Sequence, residues 1–526
     1  MRHDDRRFLA GPNRFGSGPV AALRVAVEAG EDPAAVAARL ADAVRSVCAA
    51  RGFPATETTA TVRPGPRTVS VGISCPNRAR AALLLQWLGT ELGFEDPDPE
   101  GTMGAWDAAG DEPEGPAPAP VPTVAVTGTN GKSTTTRLLA RILRAAGRHP
   151  GVTTSDGVWV GERQVLAGDY TGPQGATRAL AEPGLDVAVL EVARGGLLLK
   201  GLGVPSVDVG VVTNVAADHL GLDGVETLEE LVLVKGIVPR SVRPGGVAVL
   251  NAVDPALAVL RAQTEERVAL FARDPMAPTI LAHRASGGDA VVVRDETIVA
   301  LRGNDETPLL AVAEVPIALG GVAVHNVENA LAAAAAALAL GIAPEAVAAG
   351  LRAFRPTPED NPGRLNVFAH AGRTVIVDFA HNPAGLAALL DLARALADRQ
   401  NGQATGHASG QVLAVIGTAG DRRDEDIAAL GEIAARRAAA VFIKKTIQYT
   451  RGREYAAMLA LYRAGIARGG QDPSTTPVVP DEVSGLRAAL AASRPGDVIA
   501  VMCQEQRREL WALLEGEEAH DGVGGE

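Results

Sequence analysis

A five-residue β-rich run, Thr123 to Thr127, breaks into Gly128-Thr129-Asn130-Gly131 and then into a helical pattern that closes at Gly147. A strand that turns through glycines into a helix start aims backbone amides and the positive end of the helix at one point, which suits a phosphate group. Lys132, Ser133 and Thr134 open the helical run. In such a cradle the lysine reaches the β- and γ-phosphates of a nucleotide and the serine hydroxyl ligates magnesium. The glycines are closer together than in GxxxxGK[ST], so the general pattern is not matched, and a plain glycine turn before a helix is the competing reading.

Downstream, short β-rich runs alternate with helical patterns. They are Asp186 to Leu190, Val207 to Thr213 and Val247 to Leu250, then Thr374 to Val377, Val412 to Ile416, Ala440 to Ile443 and Val498 to Met502. Such alternation predicts parallel sheets covered by helices, an α/β fold class. The turn-rich stretch Pro356 to Pro362 divides a central domain, residues 123–355, from a C-terminal domain, residues 356–513. Asp107 to Pro122 is acidic, then rich in proline and alanine, and reads as a linker over 107–122. Before it, residues 1–106 hold helical patterns at Pro33 to Ala49 and Arg78 to Leu92 and a β-like run at Thr68 to Ile73, a small α+β domain. Residues 514–526, glycine- and acid-rich, read as a disordered tail.

Charge and cysteine usage narrow the function classes. A net charge of −12 and a pI near 5.4 give no sequence-wide attraction to nucleic acid or to an anionic membrane. Met1 to Phe15 is charged and lacks an apolar segment, which reads against a secretory signal. Ala330 to Ala343 is too short and alanine-rich for a membrane span and fits a buried helix. Cys48, Cys75 and Cys503 are scattered, without a CxxC pair, so neither a disulfide framework nor a cysteine metal site is indicated and a cytoplasmic setting is expected. Only five lysines occur, Lys132, Lys200, Lys235, Lys444 and Lys445. Each is informative, because arginine cannot replace lysine where a deprotonatable amine is required.

Several polar residues fall just after predicted strands, where open α/β sheets form their binding crevice. Glu191 follows DVAVL, and Asn214, Asp218 and His219 lie in TNVAADHL. Lys235 follows sixteen residues after His219 in a helical pattern, Leu228 to Val238. Taken singly these resemble a surface carboxylate, a packed histidine and a snorkelling lysine. Asn326 and Asn329 sit in HNVENA at the start of the alanine-rich helix, where an asparagine is also an ordinary cap. Gly363-Arg364 and Asp378, in VDFAHNP, occur in the C-terminal part.

The loop TGTNGKST resembles the form characteristic of the Mur ligase family, and the motifs after it extend that resemblance. It implies a central P-loop, parallel-sheet Mur ligase domain and a C-terminal Rossmann-like α/β domain. It implies an ATP-binding set of Gly128, Thr129, Asn130, Gly131, Lys132, Ser133 and Thr134, with Asn326 and Asn329 near the base, Arg364 facing the phosphates and Asp378 on the ribose. Magnesium would be held by Ser133, Glu191 and His219, and Lys235 would carry a carbamate, an anion facing the metal site. Lys132, Glu191, His219 and Lys235 would then be the catalytic residues, closed over by the C-terminal domain. The reaction implied is ADP-forming: a carboxylate is activated as an acyl phosphate and joined to an amine.

GDYTGP (Gly168 to Pro173), ARGGLL (Ala193 to Leu198), DHLGL (Asp218 to Leu222), GTAGDRRDEDI (Gly417 to Ile427), RGRE (Arg451 to Glu454) and Gly11-Pro12-Asn13 resemble the Mur-like half of cyanophycin synthetases. Those enzymes place an ATP-grasp domain where this chain has only the proline-rich linker. The expected partners are a small-molecule or peptide carboxylate acceptor and an amine, amino acids included, with no nucleic acid and no membrane. Homo-oligomer formation and the role of residues 1–106, acceptor or partner binding, stay open. So do two other readings, a P-loop ATPase or kinase that forms no amide and a nucleotide-binding scaffold without catalysis.

Overall fold

Period-two alternation in VAALRVA and TVSVGIS sends every second side chain to one face of a sheet. In the computed structural model, which describes residues 2–50, 60–65, 67–94, 105–106, 108–110, 112, 114–218, 220–403, 410–446 and 448–516, these runs are central strands of an antiparallel sheet. It comprises β1 (Arg2–Leu9), β2 (Val20–Ala26), β3 (Ala60–Pro64) and β4 (Thr68–Ser74), in the order β1-β2-β4-β3. Leu23, Val25, Val69, Val71 and Ile73 bury one face against the helices Pro33–Ala50 and Arg78–Glu91. Val36, Leu40 and Val44 recur at helical spacing on the first, and Asn77 caps the second by accepting from the Arg80 amide. The edge strands β1 and β3 escaped the sequence reading: RHDDRRFL is too charged to look like a strand, which suits an edge.

The segment after this domain is irregular but tied down. Trp106 packs on Trp87 with ring centroids 5.3 Å apart. Asn77 Nδ2 donates to the carbonyls of Ala109, Gly110 and Glu112. The Gly11-Pro12-Asn13 turn meets the next domain, where the Leu202 amide donates to the Pro12 carbonyl at 2.7 Å.

The second sheet is built from β5 (Thr123–Thr127), β6 (Pro150–Thr154), β7 (Gly157–Val160), β8 (Arg163–Ala167), β9 (Val187–Glu191), β10 (Val207–Val212), β11 (Val242–Asn251), β12 (Arg267–Ala272), β13 (Asp289–Arg294), β14 (Thr297–Arg302) and β15 (Asp305–Ala311). Its order is β15-β14-β13-β12-β11-β10-β5-β9-β6-β7-β8. The pairs from β6 through β9, β5, β10, β11 and β12 to β13 are parallel, while β7 and β14 attach antiparallel to either side. Strand β5 lies between β9 and β10, so the chain leaves it toward β6 on one side and later builds outward on the other. That reversal opens a crevice at the carboxyl end of β5. The strands absent from the sequence reading are the interior β6, β12 and β13 and the flanking β7, β8, β14 and β15, the last with exposed Asp305, Glu306, Thr307 and Pro308 whose polarity hides the pattern.

The third sheet has the order β16-β17-β21-β18-β19-β20, from β16 (Asn366–His370), β17 (Arg373–Asp378), β18 (Val412–Ile416), β19 (Ala440–Lys444), β20 (Val478–Val479) and β21 (Val498–Met502). It is parallel apart from β16. The helix Arg507–Glu515 ends the described chain with Leu510 and Leu514 in this core, so the first residues of the expected tail are helical. Residues 517–526 lie outside the described residues.

By its internal packing the chain forms two compact units, Met1–Leu309 with Asn329–Gly350, and Leu310–Glu328 with Leu351–Glu526. The α+β domain and the central sheet thus belong to one unit. In this division residues 310–328 pack with the C-terminal unit. The helix Val324–Ala339 contributes residues to both units, and a boundary inside a continuous helix leaves no turn signal to read. No helix among the described residues is long and apolar enough to cross a membrane.

Candidate functional site

The loop after β5 is shaped by two glycines that tolerate no side chain. Gly128 has φ +154°, and a Cβ there would come within 1.9 Å of Thr213 Oγ1. Gly131 has φ +85°, and a Cβ there would meet Asn329 Oδ1 at 2.2 Å. The loop is braced from the end of β10. Asn214 Oδ1 accepts from the Asn130 amide at 3.0 Å, its Nδ2 donates to the Asn130 carbonyl at 3.1 Å, and its carbonyl accepts from the Thr129 amide at 2.9 Å. Thr213 Oγ1 donates to the same Asn130 carbonyl at 2.7 Å. Gly131 caps the helix Lys132–Ala145 with no side-chain hydrogen bond. The first amides of a helix have no intrahelical acceptor, so this end is suited to an anion.

Strands β5 and β9 are paired with Val126 opposite Glu191, which brings the carboxylate to the start of that helix. Ser133 Oγ donates to Glu191 Oε1 at 2.9 Å, and both residues are buried. A hydroxyl and a carboxylate oxygen sharing one buried position form a hard-oxygen donor pair of the kind magnesium takes beside phosphate. The expected third ligand, His219, lies outside the described residues. Among the described residues no group of three or more His, Cys, Asp or Glu gathers as a metal cage.

Lys132 Nζ donates to the carbonyls of Gly128, at 3.0 Å, and Thr129, at 2.8 Å. Lys235 ends the helix Leu228–Lys235, and its Nζ donates to the same Gly128 carbonyl at 2.7 Å. That helix starts at a capping box between Thr227 and Glu230. Lys235 is 3% exposed. Burial first, and then the Lys132 charge, hold its pKa well below the usual lysine range, with Asp218 opposing and Arg194 adding to the shift.

Asn329 belongs to the same unit and reaches the cradle, accepting from Thr135 Oγ1 at 3.3 Å. Asn326, assigned to the other unit, is buried, with Nδ2 donating to the Ile317 carbonyl at 3.2 Å. In that second unit Asp378, at the carboxyl end of β17, accepts from the Leu365 amide on Oδ2 and the Ala380 amide on Oδ1, both at 2.7 Å. The Arg364 guanidinium lies 4.1 Å from the centre of the Phe379 ring. Burial pulls the His325 imidazole below its usual pKa against the opposing charge of Asp378. Each unit therefore gathers its own share of the expected residues. Reasoning from sequence missed Thr213, whose hydroxyl sits where a Gly128 side chain would have to go. A threonine at a strand end carries no signal until the neighbouring strand is known.

The comparisons with known proteins identify the family. Residues 126–337 match the Mur ligase middle domain, and residues 363–504 match the family described as Mur ligase, glutamate ligase domain. Cyanophycin synthetase from Trichormus variabilis is 38% identical over 387 residues, 74% of this chain and 42% of the synthetase. The chain thus spans less than half the length of that relative. UDP-N-acetylmuramoyl-L-alanyl-D-glutamate--2,6-diaminopimelate ligase from Geobacillus kaustophilus is 29% identical over 394 residues, 72% of each chain. E. coli FolC in complex with DHPP and ADP is similar in fold, with a TM-score of 0.55 and 22% identity over 76% of this chain and 90% of FolC. With its middle and C-terminal domains both matched and its phosphate-type loop built at the switch point of the central sheet, the chain belongs to the Mur ligase family.

Proposed function

We propose that the chain is an ATP-dependent, ADP-forming ligase that activates an acceptor carboxylate as an acyl phosphate and couples it to an amine. The observation that carries this reading is the buried Ser133–Glu191 pair set beside a loop whose glycines pack directly on Thr213 and Asn329. Gly128 to Thr134 would hold the phosphates, with Lys132 swinging from its own loop carbonyls to the γ-phosphoryl group. The carboxylate oxygen forms a bond to the γ-phosphorus as the bond to ADP breaks. The amine nitrogen then attacks the acyl carbon and gives up a proton, and inorganic phosphate leaves with the electron pair of the broken C–O bond.

Magnesium would be held by Ser133 and Glu191, joined by His219, and bound there would neutralise phosphate and acceptor charge. The low pKa of Lys235 supplies the neutral amine that reacts with carbon dioxide, and the resulting carbamate would place a negative charge where the ammonium repels Lys132. Arg364 and Asp378 remain the residues proposed for phosphate charge and ribose, Asn329 and Asn326 those for the base. The acceptor is a small molecule or peptide and the amine an amino acid, in line with the names of the relatives. The test is ADP release and product mass over a matrix of carboxylates and amino acids. Turnover that never requires both partners rejects the ligase and favours a simple ATPase.

A further inference from the structure

The outer face of the N-terminal sheet is polar in a way that its packing does not explain. Cross-strand pairing sets Arg24 opposite Ser70 and Ser70 opposite Arg63, a row running across β2, β4 and β3. This face lies against the helix Leu228–Lys235 and Gly224 of the central domain within the same unit, and between them is a cavity of about 210 Å³. That is many times the ~10–15 Å³ one water needs. Arg14, Arg63, Thr68, Ser70, Leu233 and Val234 are on its wall, with the Glu230 carboxylate beside them.

The cations outnumber their partners. The Arg14 guanidinium makes no hydrogen bond or ion pair with a described residue and rests on the Phe15 ring at 5.0 Å. Arg63 Nε is buried without a hydrogen-bond partner. Burial, together with the charges of Arg63 and Arg24, pulls Arg14 down to about 10 against Glu230 and Asp5. Nearby carboxylates already have partners: Asp5 pairs with Arg7 and, at 4.0 Å, with Arg24, Asp223 pairs with Arg194, and Glu230 Oε2 accepts from the Glu226 and Thr227 amides at 2.6 and 3.1 Å. Two part-buried guanidiniums without sufficient counter-charge are costly unless an anion joins them.

We infer that this cavity is a binding site for a small organic dianion of the dicarboxylate class, held by the forks of Arg14 and Arg63 and by the Thr68 and Ser70 hydroxyls. Leu233 and Val234 favour a carbon chain over phosphate, which would leave an apolar wall facing it. The two residues directly precede Lys235, so a ligand here packs on the helix that carries Lys235 to the phosphate loop. The site does not depend on the chain being a ligase.

The test is calorimetry on the full chain without nucleotide, with glutarate as probe and its neutral diamide as control. Glutarate is expected to bind one to one and more weakly as salt rises, and the diamide not to bind. Arg14→Gln and Arg63→Gln should each weaken glutarate binding about tenfold or more, the worth of one charged hydrogen bond. Equal binding of the diamide, which needs no variant, overturns the proposal, as does undiminished binding in a folded double variant or no binding of glutarate at all. Displacement of glutarate by an N-acetylated tetra-aspartate would assign the site to the end of an acidic peptide. Failure to displace it would assign the site to a free acid, and either result keeps the cavity as the site.

Discussion

Lys132 and Lys235 donate to one and the same oxygen, the Gly128 carbonyl, at 3.0 and 2.7 Å. Burial first, and then repulsion from the Lys132 ammonium on the same acceptor, lowers the Lys235 pKa. These are two of only five lysines in the chain.

Lys132→Ala is expected to lower ADP release by at least about a hundredfold, the scale of losing a group that stabilises charge developing in transfer. Lys132→Arg should restore little of it. Turnover of the alanine variant at the parental rate would remove the phosphate-cradle assignment.

For Lys235 the pH dependence has a definite sign. Its folded pKa lies below the unfolded value, so between the two the unfolded chain holds more protons and stability rises with pH, levelling near the usual lysine value of 10.5. In buffer free of carbon dioxide, Lys235→Met should therefore melt higher than the parent at neutral pH, with the gap narrowing toward pH 10.5. Thermal melts across that range check this. Activity lost in Lys235→Ala and regained with short carboxylic acids would speak for a carbamate.

Gly131→Ala places a Cβ 2.2 Å from Asn329 Oδ1 at φ +85°. It should cost roughly 1–3 kcal/mol of local strain and weaken nucleotide binding about tenfold or more. Calorimetric titration with ATP reads the affinity, and an unaltered constant would mean that the loop does not hold the nucleotide.

Glu191→Gln keeps the shape of the Ser133 contact and removes the charge. The magnesium concentration for half-maximal ADP release should rise by about tenfold, as for the loss of one charged ligand. A titration curve that overlays the parent would place the metal elsewhere.

In the C-terminal unit, the wholly buried Lys444 donates to Glu482, whose oxygens also accept from the Gln504, Glu505 and Gln506 amides. Burial pushes the Glu482 carboxyl up, but Lys444 and those amides outweigh it and leave its pKa lowered. The stability it contributes is present above the unfolded value near 4.5 and is lost as pH falls through the folded one. Lys444→Ala should cost about 3–5 kcal/mol by stranding a buried carboxylate, and Lys444→Met with Glu482→Gln, which removes both charges and keeps an acceptor for those amides, should recover part of it. Urea unfolding of the three proteins tests the order.

What could be read from the residues alone was whatever local rules decide. Buried strands such as β5, β18 and β21 declared themselves as short apolar runs, and the glycines before Lys132 declared a helix start built for an anion. The helices Pro33–Ala50 and Arg78–Glu91 were legible within a residue at either end. Flanking strands such as β1 and β15 were not, because residues at an edge need not be apolar. Nor could one dimension show that Asn329 reaches the phosphate loop while Asn326 belongs to the other unit, or that Thr213 occupies the space a Gly128 side chain would need. Those facts depend on which strand lies beside β5, and strand neighbours are chosen by burial of whole faces rather than by any local pattern. The convergence of Lys132 and Lys235 on one carbonyl, and the arginine-lined cavity under the N-terminal sheet, exist only after packing has brought together segments far apart along the chain.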